Sequence, residues 1–156
     1  MISFNFISKP VYTVFNFNKN LFKIWINEIA LSENKKINVI NYIFCTDDYL
    51  LNINKKYLKH NYYTDIISFD YSENNKLSGD IYISMDSIYD NSKIYNSNIN
   101  DELLRVLSHG VLHYCGYKDK TPSEIQTMRY KEEEKISIFK NLIVSRETIK
   151  NKNNFN

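Results

Sequence analysis

Ser108-His109-Gly110-Val111-Leu112-His113-Tyr114-Cys115-Gly116-Tyr117-Lys118-Asp119 is the stretch on which the reading of this chain turns. It places two histidines four residues apart in a helical pattern and adds a carboxylate six residues past the second. Residues at i and i+4 sit about 40° apart around a helix, so both imidazoles project from one face toward a shared point. Gly116 can adopt the left-handed conformation that ends a helix and turns the chain back, which returns Asp119 to the same point. Two neutral imidazoles and one carboxylate, with a coordination position left open, have the composition of a catalytic zinc site.

Composition strengthens the spacing argument. The chain is rich in Asn, Ile, Lys, Tyr and Phe, as expected from an AT-biased genome, and has only 3 glycines in 156 residues. Two of them, Gly110 and Gly116, fall in this segment, so they answer a backbone need. The order His-x3-His-x2-Gly-x2-ligand repeats the ligand spacing of metzincin proteases, which carry Glu directly after the first histidine as general base. Here that place is held by Gly110, which cannot move a proton. The donor set is zincin-like without the peptidase base.

The His-Gly-x-Leu-His-x-x-Gly-Tyr pattern resembles the central motif of the YbeY family, bacterial metal-dependent endoribonucleases of ribosomal RNA maturation. Tyr63-Thr64-Asp65-Ile66-Ile67-Ser68-Phe69 and Gly79-Asp80-Ile81-Tyr82-Ile83-Ser84 are similar to that family's Thr-Asp-Val-Leu-Ser-Phe strand and the Gly-Asp-led strand after it. The matches run in order from about Leu51 to Glu133. There are two departures. Asp119 stands where the family usually has a third histidine. Leu58 stands where it usually has an arginine thought to contact RNA phosphate, a charge that Lys59, His60 or Arg105 could replace.

Length and composition set bounds on this reading. A chain of 156 residues with 43% apolar content suits one domain, expected over 1–150, with a polar, disordered tail over 151–156. No signal-peptide pattern and no membrane-length apolar run is present, and Cys45 and Cys115 read as small core residues of a reduced, cytoplasmic protein. The net charge of +2 is too mild to mark a nucleic-acid binder by itself. Lys55, Lys56, Lys59 and His60, followed by Tyr62 and Tyr63, read equally as a single-strand grip or as a solvated helix end.

Periodicity gives four strands, over about 2–7, 37–44, 65–71 and 80–85. Helices are expected over about 18–33, from a cap at Asp47 or Asp48 to Lys59, and over 86–95. A fourth runs from Asn98 or Asn100 to Gly116 with Leu103, Leu104, Leu107, Val111 and Tyr114 as its apolar face. Thr121-Pro122-Ser123-Glu124 is a capping box that starts a last helix running to about Arg146. The fold class is α+β, and the resemblance implies a small mixed four-stranded sheet with a zincin-like site. Asp65 and Asp80 either orient a ligand histidine or serve strand ends and turns, the second being favoured.

The resulting expectation is a single-strand-specific, zinc-dependent endoribonuclease. His109, His113 and Asp119 would hold one Zn2+, and Arg105, Lys59 or His60 would neutralise phosphate charge. The resemblance supplies the substrate, the 3′ region of precursor small-subunit (16S) rRNA. It also supplies the partners, the small ribosomal subunit and its assembly factors, with no DNA and no membrane. Two alternatives stay open. A zincin-like metalloprotease would need a base such as Glu102 or Glu132. A non-catalytic ribosome-assembly factor would use Cys115 or His60 to close a structural metal shell.

Overall fold

The computed structural model describes residues 1–7 and 18–154. Its strands are β1 (Ile2–Phe6), β2 (Lys36–Cys45), β3 (Ile66–Asp70) and β4 (Lys76–Ser84). They form one mixed sheet in the order β1-β2-β4-β3, with β1, β2 and β4 parallel and β3 antiparallel at the edge. The helices are α1 (Lys19–Ser32), α2 (Asp47–Ile53), α3 (Met85–Ile94), α4 (Ile99–Tyr114) and α5 (Pro122–Asn154), and α2 continues into a π-helical turn, Asn54–Leu58. The α+β architecture expected from the sequence is the one observed.

Alternation along the strands decides which face each helix covers. Ile40, Tyr42 and Phe44 of β2 and Ile81 and Ile83 of β4 point into the main core, against Trp25, Ile26 and Ile29 of α1 and Leu107 and Val111 of α4. On the opposite face, Leu50 and Ile53 of α2 pack with Ile67 and Cys45 in a smaller cluster. The apolar face expected for α4 is buried in full: Leu103, Leu104, Leu107, Val111 and Tyr114. Each such side chain contributes roughly 2 kcal/mol of burial, so packing sets where α4 lies and leaves its other face free for polar work. In α1, Phe22, Ile26 and Ala30 are buried beside Trp25 and Ile29, while Ile24 and Leu31 face solvent.

Several element ends differ from the sequence reading for local reasons. Thr46, rather than Asp47 or Asp48, caps α2 by accepting from the Tyr49 amide at 3.2 Å; both aspartates lie in the first turn, where the helix dipole favours them. Strand β4 begins at Lys76, ahead of the start expected near residue 80. Asn74 and Asn75 take positive φ (49° and 63°), making a two-residue turn closed by Glu73–Lys76 backbone hydrogen bonds. Asn98, one of the two expected starting residues, caps α4 by accepting from the Asn100 and Asp101 amides. The Thr121 capping box forms as expected, with the Glu124 amide donating to Thr121 Oγ1 at 3.2 Å and the Thr121 amide to Glu124 Oε2 at 3.1 Å. Helix α5 then runs through Asn154, past the expected end near Arg146.

Candidate metal centre

His109 and His113 lie on the last two turns of α4, on the side away from its buried stripe. The helix ends in a Schellman turn: the Tyr117 amide donates to the Leu112 carbonyl at 3.1 Å and the Gly116 amide to that of His113 at 3.0 Å. Gly116 has φ of +102°, a conformation an L side chain rarely adopts, and it swings the next residues back over the helix end. Asp119 thereby reaches the histidines. Its Oδ2 is 3.2 Å from His109 Nε2 and 3.3 Å from His113 Nε2, and the two Nε2 atoms are 2.9 Å apart. Among the described residues, these three form the one group of His, Cys, Asp or Glu that could hold a metal ion.

The far nitrogens explain why this trio suits a cation. His109 Nδ1 lies 2.7 Å from Glu132 Oε1 and His113 Nδ1 lies 2.9 Å from the Tyr117 carbonyl oxygen. Both partners only accept, so each neutral imidazole carries its proton on Nδ1 and turns the Nε2 lone pair inward. Two lone pairs and a carboxylate oxygen then face one another with no proton to share, an arrangement that a cation between them relieves. Tetrahedral ligands at zinc–nitrogen distances of ~2.05 Å would be roughly 3.3 Å apart, which matches the two Asp119 contacts at 3.2 and 3.3 Å and exceeds the 2.9 Å between the imidazoles. The residues fit a divalent ion.

Charges around the trio are layered. Glu132, from α5, is buried and links His109 to Arg105, whose Nη1 is 3.7 Å from the same carboxylate oxygen. Arg105 Nε donates to both carboxylate oxygens of Glu102 at 3.1 and 3.0 Å, its Nη2 also donates to Glu102, and Asp65 is 3.8 Å from Nη2. Burial disfavours the Arg105 charge, but hydrogen bonding to Glu102 and the fields of Glu102, Glu132 and Asp65 outweigh it and hold its pKa above the ordinary range. A second strut runs through Tyr117: its hydroxyl donates to Glu33 Oε2 at 2.9 Å, and Glu33 accepts from Lys131 at 3.0 Å and the fully buried Lys135 at 2.7 Å. The carbonyl that orients His113 is thus anchored to α1 and α5.

The trio opens into a cleft of about 320 Å³, lined by residues of β3, α3, α4 and α5. Of the three cations expected to neutralise phosphate, the structure brings Arg105 to this cleft but not Lys59 or His60. Lys59 follows the π-helical turn with φ of 55°, and His60 stacks on Tyr62 with ring centroids 5.1 Å apart. Leu58, where the resembling family has arginine, is exposed at the end of that turn. Lys56 lines a separate groove with Tyr49, Tyr57, Tyr71 and Tyr82.

Neither Asp65 nor Asp80 touches an imidazole. Asp80 accepts from Asn41 at 2.9 Å, across the register that pairs β2 with β4, and the Asp65 carbonyl accepts from the Ser84 amide at 2.9 Å. The carboxylate that meets an imidazole is instead Glu132, named above only as a candidate peptidase base. Cys115 is not among the group that could hold a metal, and burial pushes its thiol up to about 11, against the thiolate that ligation needs. Gly110 is buried against the sheet: a Cβ there would meet Ile81 Cδ1 at 2.9 Å. Its small size lets α4 approach β4, and a longer side chain would enter the core.

These features describe a single α+β domain that carries a three-donor hydrolase-type centre on one helix and the loop that follows it. Comparison with known proteins agrees. The family model described as Endoribonuclease YbeY matches residues 8–140. A protein named Endoribonuclease YbeY from Flavobacterium johnsoniae is 49% identical over 140 residues, which span 89% of this chain and 97% of that one. Another of that name, from Christiangramia forsetii, is 52% identical over 118 residues, spanning 76% of this chain and 82% of its own. The solution structure of TM1509 from Thermotoga maritima, 23% identical, shares the fold with a TM-score of 0.62 over 90% of this chain and 93% of that one. The chain belongs to the YbeY family of endoribonucleases.

Proposed function

We propose that this chain is a zinc-dependent endoribonuclease that cuts single-stranded precursor small-subunit rRNA in its 3′ region, working with the small ribosomal subunit and its assembly factors in the cytoplasm. The observation that carries the reading is the trio itself: His109, His113 and Asp119 bring three donor atoms within 3.3 Å of one another, in a family named for endoribonuclease activity. Among the described residues, no helix is long and apolar enough to cross a membrane.

His109, His113 and Asp119 hold one ion, and Zn2+ suits their mixed nitrogen and oxygen donors. Such an ion supplies Lewis acidity and a water acidified toward neutral pH. The protein's own part is orientation. Glu132 and the Tyr117 carbonyl keep both imidazoles in the tautomer that donates Nε2, and Arg105 keeps Glu132 from swinging away. Asp119, two-fifths exposed at 40%, sits on the open side of the trio, where substrate enters.

The glutamates named for the peptidase alternative are engaged elsewhere, and the structural-metal alternative lacks a fourth donor among the described residues. A peptidase needs a carboxylate base facing the open position, and Glu102 and Glu132 are turned to Arg105 and, for Glu132, to the far side of His109. A closed structural shell needs a fourth protein donor, and among the described residues the group has three. Purified protein given single-stranded RNA and casein separately should cleave the RNA and leave the casein whole. Casein fragments that disappear in the His113→Ala variant, with intact RNA, would instead establish the peptidase.

A further inference from the structure

Two guanidinium groups line the cleft above the trio, Arg105 and Arg129, and they differ in what already opposes their charge. Arg105 faces three carboxylates, Glu102, Glu132 and Asp65, so its charge is more than matched inside the protein. Arg129 is exposed on α5, one turn before Glu132, and among the described residues it forms no ion pair with a carboxylate. Its guanidinium lies over the ring of Tyr95 at 5.9 Å from the centroid, and Tyr95, at the end of α3, is 60% exposed and lines the same cleft. The ring can steady a long side chain at the cleft wall, and the edge of the guanidinium plane keeps its N–H groups available to a ligand.

Charge counting gives that fork a task. Asp119, Asp65, Glu102 and Glu132 place four negative charges around the trio. A divalent ion and Arg105 return three positive charges, which leaves an incoming phosphodiester facing a net negative floor. Arg129 supplies the fourth positive charge at the cleft wall. Its planar fork also matches two phosphate oxygens, which a lysine cannot do.

We propose that Arg129 is the residue that grips the RNA phosphodiester in the cleft, with Tyr95 as the ledge that holds its guanidinium there. The proposal rests on the reading of the cleft as an RNA site and assigns to Arg129 the contact the sequence had offered to Lys59, His60 or Arg105.

The test uses the full zinc-loaded chain and a single-stranded 2′-O-methyl oligonucleotide, with affinity measured across a salt series and metal content and melting recorded for each variant. Arg129→Gln should weaken binding roughly tenfold and make the slope of log affinity against log salt shallower by about 0.7, the value for one lost phosphate contact on a single strand. Its zinc content and melting should stay those of the wild type. Arg129→Lys should keep the slope and recover only part of the affinity, and Tyr95→Ala should weaken binding by less than Arg129→Gln. Lys152→Gln, which removes one charge from the far end of α5, should bind as the wild type does.

Wild-type affinity and slope in Arg129→Gln, or a change no larger than that of Lys152→Gln, overturns the assignment even if the wild type cleaves RNA. Weakened binding by Arg129→Gln in a protein that cleaves no RNA upholds the grip and rejects the nuclease reading. A wild type that neither binds this strand nor cleaves unmodified single-stranded RNA rejects both.

Discussion

His113→Ala should leave a folded protein that neither retains zinc nor cleaves RNA. His113 sits in the last turn of α4 with its side chain 27% exposed, outside the core, so truncation should shift stability by less than about 1 kcal/mol. The loss falls on the trio. One of three donors disappears, and two remaining groups 3.2 Å apart cannot enclose an ion as three do. Zinc after dialysis should drop from about one per chain to a small fraction of that, and RNA cleavage should fall by a factor of at least ~10² to 10³, the scale seen when a site's electrostatic machinery is removed. Asp119→Ala should lose metal in the same way. Full metal retention by Asp119→Ala would remove the carboxylate from the donor set and leave the two histidines in need of another partner.

Glu132 should carry the second large effect, because it meets the Nδ1 of His109 and is itself held by Arg105. Glu132→Leu keeps similar bulk but leaves the His109 Nδ1–H without its acceptor 2.7 Å away, so the ring is free to turn its Nε2 from the trio. Loss of such a partner typically costs 10–100-fold in metal affinity or activity, and zinc competition against a chromogenic chelator should read a change of about that size. Glu132→Gln retains an acceptor oxygen and should fall between Leu and the wild type. The graded order separates an orienting role from mere filling of space. If Leu and Gln variants melted alike and held zinc as tightly as the wild type, Glu132 would be a packing residue and the tautomer argument would fail.

What the sequence made legible was set by local rules. The i, i+4 histidines, the Gly116 turn, the Asn98 cap and the Thr121 capping box are each written within a few residues, and each has the expected geometry. The four strands are legible from alternation, although the start of β4 is hidden because the Asn74-Asn75 turn sits in a run of polar residues. Glu132 and Arg129 were harder to see, since they reach the site by packing α5 against α4. In the run Glu132-Glu133-Glu134, only helical phase distinguishes the first. Met128, Glu132, Lys135 and Phe139 are the buried residues of α5, at the recurrence of a helix's inward stripe. Two charged residues at core positions of such a stripe were a readable sign that each has a buried partner. Glu132 has His109 and Arg105; Lys135 has Glu33. The identity of those partners required the third dimension. Lys55, Lys56 and Lys59 form the basic cluster visible in the sequence, and only the location of the cleft points to Arg129 instead.

The most direct measurement is the rate of single-stranded RNA cleavage by the wild-type chain before chelation, after exhaustive chelation, and after return of one equivalent of zinc. Cleavage should stop when the ion is stripped and return when it is restored, with His113→Ala inactive throughout. An unchanged rate in the stripped protein, with the His113→Ala variant equally active, would contradict a metal-dependent reaction at His109, His113 and Asp119.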